Sequence, residues 1–273
     1  MLLPFDFFDK YFKPWNSSKV SYTKIEAMWG TSYKYKKVYL ENHQLATSQW
    51  FDKQIENSNF DSYNTLAKKA ITLKNTNVRV LPTNSGMFYD QNTPGEGFPF
   101  DYNQNSAIKI NTPIIISRLS KDKAWAYMES STVSGWVEIG SIAFVDKNFI
   151  QEFKTSNYFV SVKEKFPIYD PIFREYVKVA TIFPKKDDKY IIAKEDDNQN
   201  AIISYIDLNS QEVEPMPLTF NTENRVKIAK QLMDEPYGWG GLLNNRDCSS
   251  FTQDYFATFG KYLHRNSKAQ LSN

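Results

Sequence analysis

The chain has 273 residues, 33 Lys+Arg against 31 Asp+Glu, two histidines and one cysteine. This length predicts two or three compact units. The near-neutral charge argues against an electrostatic nucleic-acid binder, and one cysteine excludes an intramolecular disulfide. Aromatics make up 16% of the chain, too many for a disordered protein and enough for several small β cores.

No apolar run reaches the roughly 18 residues of a membrane-spanning helix. The first segment, to Trp15, is aromatic and apolar, but Asp6, Asp9, Lys10 and Lys13 interrupt it. It lacks the unbroken core and cleavage site of a signal peptide, so none is expected there. Residues 1–66 read as mixed helix and loop anchored by Trp15, Trp29 and Trp50, with no evident chemistry and a bracing role.

Residues 67–147 change to short β segments bounded by turn residues: Val78 to Pro82, Ile108 to Ile110, Pro113 to Ser117, Trp125 to Met128 and Gly135 to Val137. Five such strands with a long early loop suggest a small SH3-like barrel. The loop, from Thr83 to Ser106, carries Glu96, Asp101 and Tyr102 as polar ends around two glycines and a proline. A long loop with its own packing residues is more often functional than idle. Residues 148–218 again alternate, at Tyr158 to Val162, Tyr176 to Ala180, Tyr190 to Ala193 and Ala201 to Ile206, and suggest a second barrel with charged hairpin tips. Pro215-Met216-Pro217 reads as a stiff linker.

Residues 219–273 turn helical. Asn221 or Thr222 can cap a helix through Met233, with Val226, Ala229, Leu232 and Met233 inward, and Pro236 ends it. Tyr237-Gly238-Trp239-Gly240-Gly241 and Arg246-Asp247-Cys248-Ser249-Ser250 then set the cysteine at the start of a second helix. Phe251, Tyr255, Phe256 and Phe259 form its apolar stripe, and Gly260 follows. Asp247 can cap this helix, whose first-turn N–H groups favour a thiolate. The pattern points to a nucleophilic cysteine. Nucleotide-binding glycine motifs and His-Glu-x-x-His are absent, and two isolated histidines with one cysteine form no metal set. No cofactor is expected.

These residues, with Leu263-His264-Arg265-Asn266-Ser267 and Gln270, resemble the NlpC-type cell-wall cysteine peptidases of the papain-like superfamily. His264 stands where family members usually have proline. The resemblance implies a mostly β protein with α: an N-terminal helical segment, two SH3-like barrels and the helical half of a papain-like α+β catalytic domain. It also implies cleavage of peptidoglycan stem peptides at the γ-D-glutamyl–diamino acid bond, in the cell envelope. By resemblance Cys248 is the nucleophile, with Tyr237 beside it on the oxyanion, and Asp247, Ser249 and Ser267 line the substrate pocket. Glu96, Asp101 and Tyr102 are the barrel-loop candidates for holding the stem peptide's free amine. The family's catalytic histidine lies downstream of the cysteine, and neither His43 nor His264 matches it. The chain is therefore expected to be inactive on its own. The alternative is a non-catalytic wall-binding module with a remnant catalytic domain.

Overall fold

Apolar residues on both faces of the central strands dictate how the first β unit is built. In the computed structural model, which describes residues 4–271, this unit has seven strands. They are β1 (Lys68–Thr72), β2 (Thr76–Arg79), β3 (Gln104–Ile108), β4 (Pro113–Leu119), β5 (Trp125–Glu129), β6 (Ser134–Glu138) and β7 (Ile142–Phe144). Their order is β3-β2-β6-β5-β4-β1-β7, and every pair is antiparallel. Ala70, Val78, Ile114, Ile116, Met128 and Val137 fill the interior. All of β5 is buried, because Trp125 and Tyr127 on its other face pack with Ala27 and Trp136. The sequence suggests five strands. It misses β1 and β7, and β3 ends at Ile108 where a strand to Ile110 is expected, the chain turning there through Asn111 at φ 65°.

The N-terminal segment covers the barrel. It contains α1 (Pro4–Tyr11), α2 (Lys13–Asn16), α3 (Lys24–Ala27) and α4 (Ser48–Asn57). Trp15 is 1% exposed and its indole N–H donates to the Ala70 carbonyl at 2.8 Å. Arg118 of β4 donates through Nε to the Ser58 carbonyl at 2.7 Å. Its guanidinium lies 4.4–5.1 Å from the ring centres of Phe60, Tyr63, Tyr127 and Trp136. The aromatic faces replace the hydrogen bonds that Nη1 and Nη2 do not make. Burial pulls its pKa down to about 10.

A short helix, α5 (Lys147–Phe153), leads into the second β unit. This unit comprises β8 (Tyr158–Ser161), β9 (Phe166–Tyr169), β10 (Phe173–Val177), β11 (Ile182–Lys186), β12 (Lys189–Glu195), β13 (Ala201–Ile206) and β14 (Val213–Pro215). Five of them form a sheet in the order β13-β12-β11-β8-β14, and β9 and β10 form a hairpin. Phe166, Ile168, Val177, Phe183, Ile192 and Ile206 make its core.

The C-terminal segment holds α6 (Thr222–Leu232), α7 (Cys248–Ala257) and α8 (Ser267–Gln270). Asn221 caps α6, accepting from the Asn224 N–H at 2.9 Å. The inward residues are Ile228 and Leu232, four apart, which pack on Val160, Val162 and Val179 of the second unit. Val226 and Met233, expected inward, are exposed. The burial of α7 also differs from its apolar stripe. Its buried residues are Ser249 and Asp254, and Phe251 is 40% exposed, while at the other end of the stripe Phe259 is buried and packs with Tyr255 on Val160, Val162 and Val179. Charge directs this docking. Asp254 pairs with Lys109 and with Arg246 (2.7 Å), and Arg246 also forks onto Glu164 of the second unit at 2.7 and 3.0 Å.

Two outcomes are expected. Because Phe251 is exposed and Tyr255 and Phe256 are only partly buried, the amides of α7 should exchange faster than those of β4 and β5 in the monomer. Equal protection in a hydrogen-exchange experiment would contradict that. Burial raises the carboxyl pKa of Asp254, but Lys109, Arg246 and Lys178 outweigh it and bring it to about 2. A depressed folded pKa stabilises above the unfolded value, and that contribution is lost as pH falls from about 4 toward 2. Asp254→Asn should cost about 3–5 kcal/mol at neutral pH by leaving buried cations unpaired. It should also flatten the acid limb of a melting-temperature profile, and an unchanged limb would rule out Asp254 as its source.

Candidate active site

The turn before α7 is built against the barrel. Gly240 and Gly241 have φ of 57° and 86°, the left-handed region open to glycine. A Cβ on Gly240 would lie 2.6 Å from the Gln104 carbonyl oxygen, and one on Gly241 2.6 Å from the Ala107 Cβ. Backbone therefore rests directly on β3. The Trp239 indole N–H donates to the Asp101 carbonyl at 2.9 Å, with its ring against Phe100 and Tyr102. Gln104 Nε2 donates to the Gly240 carbonyl at 3.1 Å. The Tyr237-Gly238 strand runs beside Arg246, where the Gly238 N–H donates to the Arg246 carbonyl at 2.9 Å.

Cys248 opens α7 and its side chain is exposed. Asp247 is the N-cap, accepting from the Ser250 N–H at 2.8 Å, while Ser250 Oγ accepts from the Asp247 N–H at 3.0 Å. Arg265 clamps this cap: Nη2 donates to Asp247 Oδ2 at 2.7 Å, Nη1 to Ser249 Oγ at 2.9 Å, and Nε to Ser106 Oγ at 2.6 Å. Burial pushes the Asp247 pKa up, but Arg265 and the first-turn N–H outweigh it, and the carboxyl sits below its ordinary value. Desolvation and the nearby Asp247 and Cys248 raise the pKa of Tyr237, which keeps its hydroxyl protonated as a donor. Gln270 Nε2 donates to the carbonyls of Ser249 and His264, at 3.0 and 2.8 Å, and holds α8 to the start of α7.

Cys248 lies in a cleft of about 800 Å³. Tyr237, Asp247, Ser249 and Ser267 share its wall, so these sequence candidates come together around the thiol. Of the barrel-loop candidates only Tyr102 lines the cleft. Glu96 lies off it and accepts from the Tyr102 hydroxyl at 3.0 Å. Asp101 is 4% exposed, paired with Arg79 at 2.8 Å and accepting from the N–H groups of Met87 and Asn103. It braces the loop from beneath. The opposite wall is Tyr22, Glu26, Trp29 and Tyr33 of the N-terminal segment, which the sequence reading treats as bracing alone. The one signal for them is an excess of aromatics there: Trp29 and Tyr22 remain 46% and 41% exposed. Neither His43 nor His264 lines the cleft; His264 is exposed between α7 and α8.

Among the described residues, no group of three or more His, Cys, Asp or Glu is placed to hold a metal. No helix among them is long and apolar enough to cross a membrane.

Three family models match, in chain order: the NLPC_P60 stabilising domain, N term, over residues 3–63; an SH3 domain (SH3b1 type) over 86–138; and the NlpC/P60 family over 234–273. Among solved structures, one described as a novel NlpC/P60 endopeptidase from Photobacterium damselae subsp. piscicida superposes with TM-score 0.88 at 28% identity. It is matched over 98% of this chain, which spans 64% of that protein's length. An NlpC/P60 family protein from Bacillus cereus shares the fold at TM-score 0.50 and 14% identity, over 75% of this chain and 77% of its own. No curated protein matches the sequence. The chain thus carries, in this order, an NLPC_P60 stabilising domain, an SH3b1-type barrel and an NlpC/P60 segment that contains the exposed cysteine.

Proposed function

We propose that this chain supplies the nucleophile and the substrate cleft of a cell-envelope cysteine peptidase acting on peptidoglycan stem peptides, at the γ-D-glutamyl–diamino acid bond. The observation that carries this reading is Cys248, exposed at the capped first turn of α7 and opening on a large cleft beside Tyr237. Its Sγ would attack the scissile carbonyl, and the Cys248 N–H and the Tyr237 hydroxyl would take the oxyanion. Asp247 and Ser249 are engaged by Arg265, so their part is to fix the start of α7 and to shape the pocket floor. Ser267 lies at the rim, on the first turn of α8.

The thiol proton needs an acceptor, and the leaving amine needs that proton back. Neither histidine lines the cleft, which favours a second reading of these 273 residues as a wall-binding module without turnover. Chemical rescue separates the two. The 273-residue polypeptide should not hydrolyse L-Ala-γ-D-Glu-diamino acid alone. Added imidazole, as an external base, should restore slow cleavage that Cys248→Ala abolishes. Cleavage without imidazole would show that a base is already present. No cleavage with imidazole would favour the module, and equal cleavage by Cys248→Ala would remove Cys248 as nucleophile.

The cleft also indicates how a substrate amine would be held. Its charged side chains are Glu26, Asp247 and Arg265, and the last two neutralise each other. Glu26 is left as the net charge. Thr23 donates to its Oε2 through N–H and hydroxyl, at 2.7 and 2.8 Å, and these bonds keep it ionised. Tyr22, Trp29 and Tyr33 stand beside it as faces for a cation. This supports an amine site on the N-terminal segment, in place of the barrel-loop candidates Glu96, Asp101 and Tyr102. Acetylating the peptide amine should weaken binding to Cys248→Ala protein by at least about threefold. Glu26→Gln should bind both peptides alike. Continued discrimination by Glu26→Gln would return the role to the barrel loop.

A further inference from the structure

A second cavity, of about 450 Å³, shares no lining residue with the Cys248 cleft. Its size falls in the range of small-ligand sites, roughly 300–1,000 Å³. It forms where the N-terminal segment meets the barrel loop, and Tyr39 and Phe88 exchange backbone hydrogen bonds of 2.7 and 2.8 Å across that seam. Phe88 and Phe98 stand at 49° with ring centres 6.4 Å apart, and Phe98 is 73% exposed. Gly97, at φ 81°, lets the loop close: a Cβ there would lie 2.9 Å from the Gln91 Cα.

The rim is polar and rich in acceptors. Glu41, Asp90, Gln91 and Asn92 line it, and no lysine or arginine does. Glu41 Oε1 accepts from the Gly86 N–H, and Asp90 Oδ1 accepts from the N–H and side-chain amide of Asn92 at 3.0 and 2.9 Å. The second oxygen of each carboxylate takes no part in these bonds. Lys37 lies just outside the lining, its ammonium 5.6 Å from the Tyr39 ring centre, so the two carboxylates outnumber one nearby cation and the rim does not favour an anion. A purely apolar side chain or lipid tail would cover the carboxylates without offering donors, at a desolvation cost. A sugar ring meets both demands: its C–H face stacks on the phenyl rings, and its hydroxyl and acetamido N–H groups donate to the rim.

We propose that this cavity is a saccharide subsite for an uncharged N-acetylhexosamine oligomer, with Phe98 as the stacking platform. The polymer it would belong to, the glycan whose stem peptides enter the cleft, rests on the function proposed above; the binding chemistry does not. The probe is chitotetraose, titrated into the protein and followed by NMR. The expected result is saturable binding with a dissociation constant on the order of 1 mM. Shifts should fall on Tyr39–His43 and Phe88–Phe98, and Phe98→Ala should weaken binding by about tenfold. Phe98 is exposed, so an unchanged melting temperature would separate lost stacking from lost fold. Cys248→Ala should bind as the unaltered chain does, so this site can fail while the peptidase reading stands, and the reverse. No saturable shift, equal affinity in Phe98→Ala, or shifts confined to the Cys248 cleft would overturn the proposal. So would Phe98-dependent self-association in place of saccharide binding, since the patch would then be a contact between copies.

Discussion

Arg246 is the interaction on which the arrangement depends. It is 6% exposed, lies one residue before the cap of α7, and reaches Glu164 of the second β unit and Asp254 on α7 itself. Burial alone would penalise its charge, but the two carboxylates outweigh that and hold it firmly protonated. Asp254 reaches Lys109, just past β3 of the barrel. One chain of charges therefore locks the start of the cysteine helix to both β units. Such a network specifies position more than it adds stability, since burying charges costs nearly what pairing returns. Position is what Cys248 would need in the proposed role of nucleophile. The glycine turn supplies the complementary constraint on the other side, because only bare backbone fits against Gln104 and Ala107.

That division explains what was legible in the sequence. The cysteine, its cap and the glycine turn are local, and short-range rules read them well. The helix register of α7 was read from apolar periodicity, yet its docked face carries Ser249 and Asp254. Tyr255 and Phe259 keep their core contacts, but earlier in the helix charge pairing across 145 positions of chain turns Asp254 inward and leaves Phe251 exposed, and no local rule can weigh that. Val226 and Met233 fail for a related reason: the second unit offers α6 a narrow apolar strip, wide enough for Ile228 and Leu232.

The loop candidates show the same limit in another form. Glu96, Asp101 and Tyr102 are close in sequence and were read together, but the fold assigns them different tasks. Asp101 has Arg79 as a buried partner, which no spacing rule reveals, and Glu96 turns to the Tyr102 hydroxyl. The carboxylate that faces the thiol's cleft comes from more than 200 residues upstream, in a segment whose aromatic content reads as packing. Its capping box with Thr23 was visible in Thr23-x-x-Glu26, and that motif predicts a helix start, not a cleft wall.

A three-part cleft has a consequence for specificity. Glu26 and Trp29 are carried by a segment pinned to the barrel where Ala27 packs on Trp125, Tyr127 and Trp136 and where Arg118 holds Ser58, Phe60 and Tyr63, and Cys248 is pinned to the same barrel through Gly240, Gly241 and Asp254. The barrel is thus the common reference for groups that come from opposite ends of the chain. Distances across the cleft are therefore set by two dockings onto one barrel. On the proposed function, a substrate would be measured against a span in which the end that carries a charge and the bond to be cut are registered by the same β sheet. On that reading the barrel would have a mechanical part in selectivity, beyond the side chains such as Val80, Gln104 and Val133 that it contributes to the cleft.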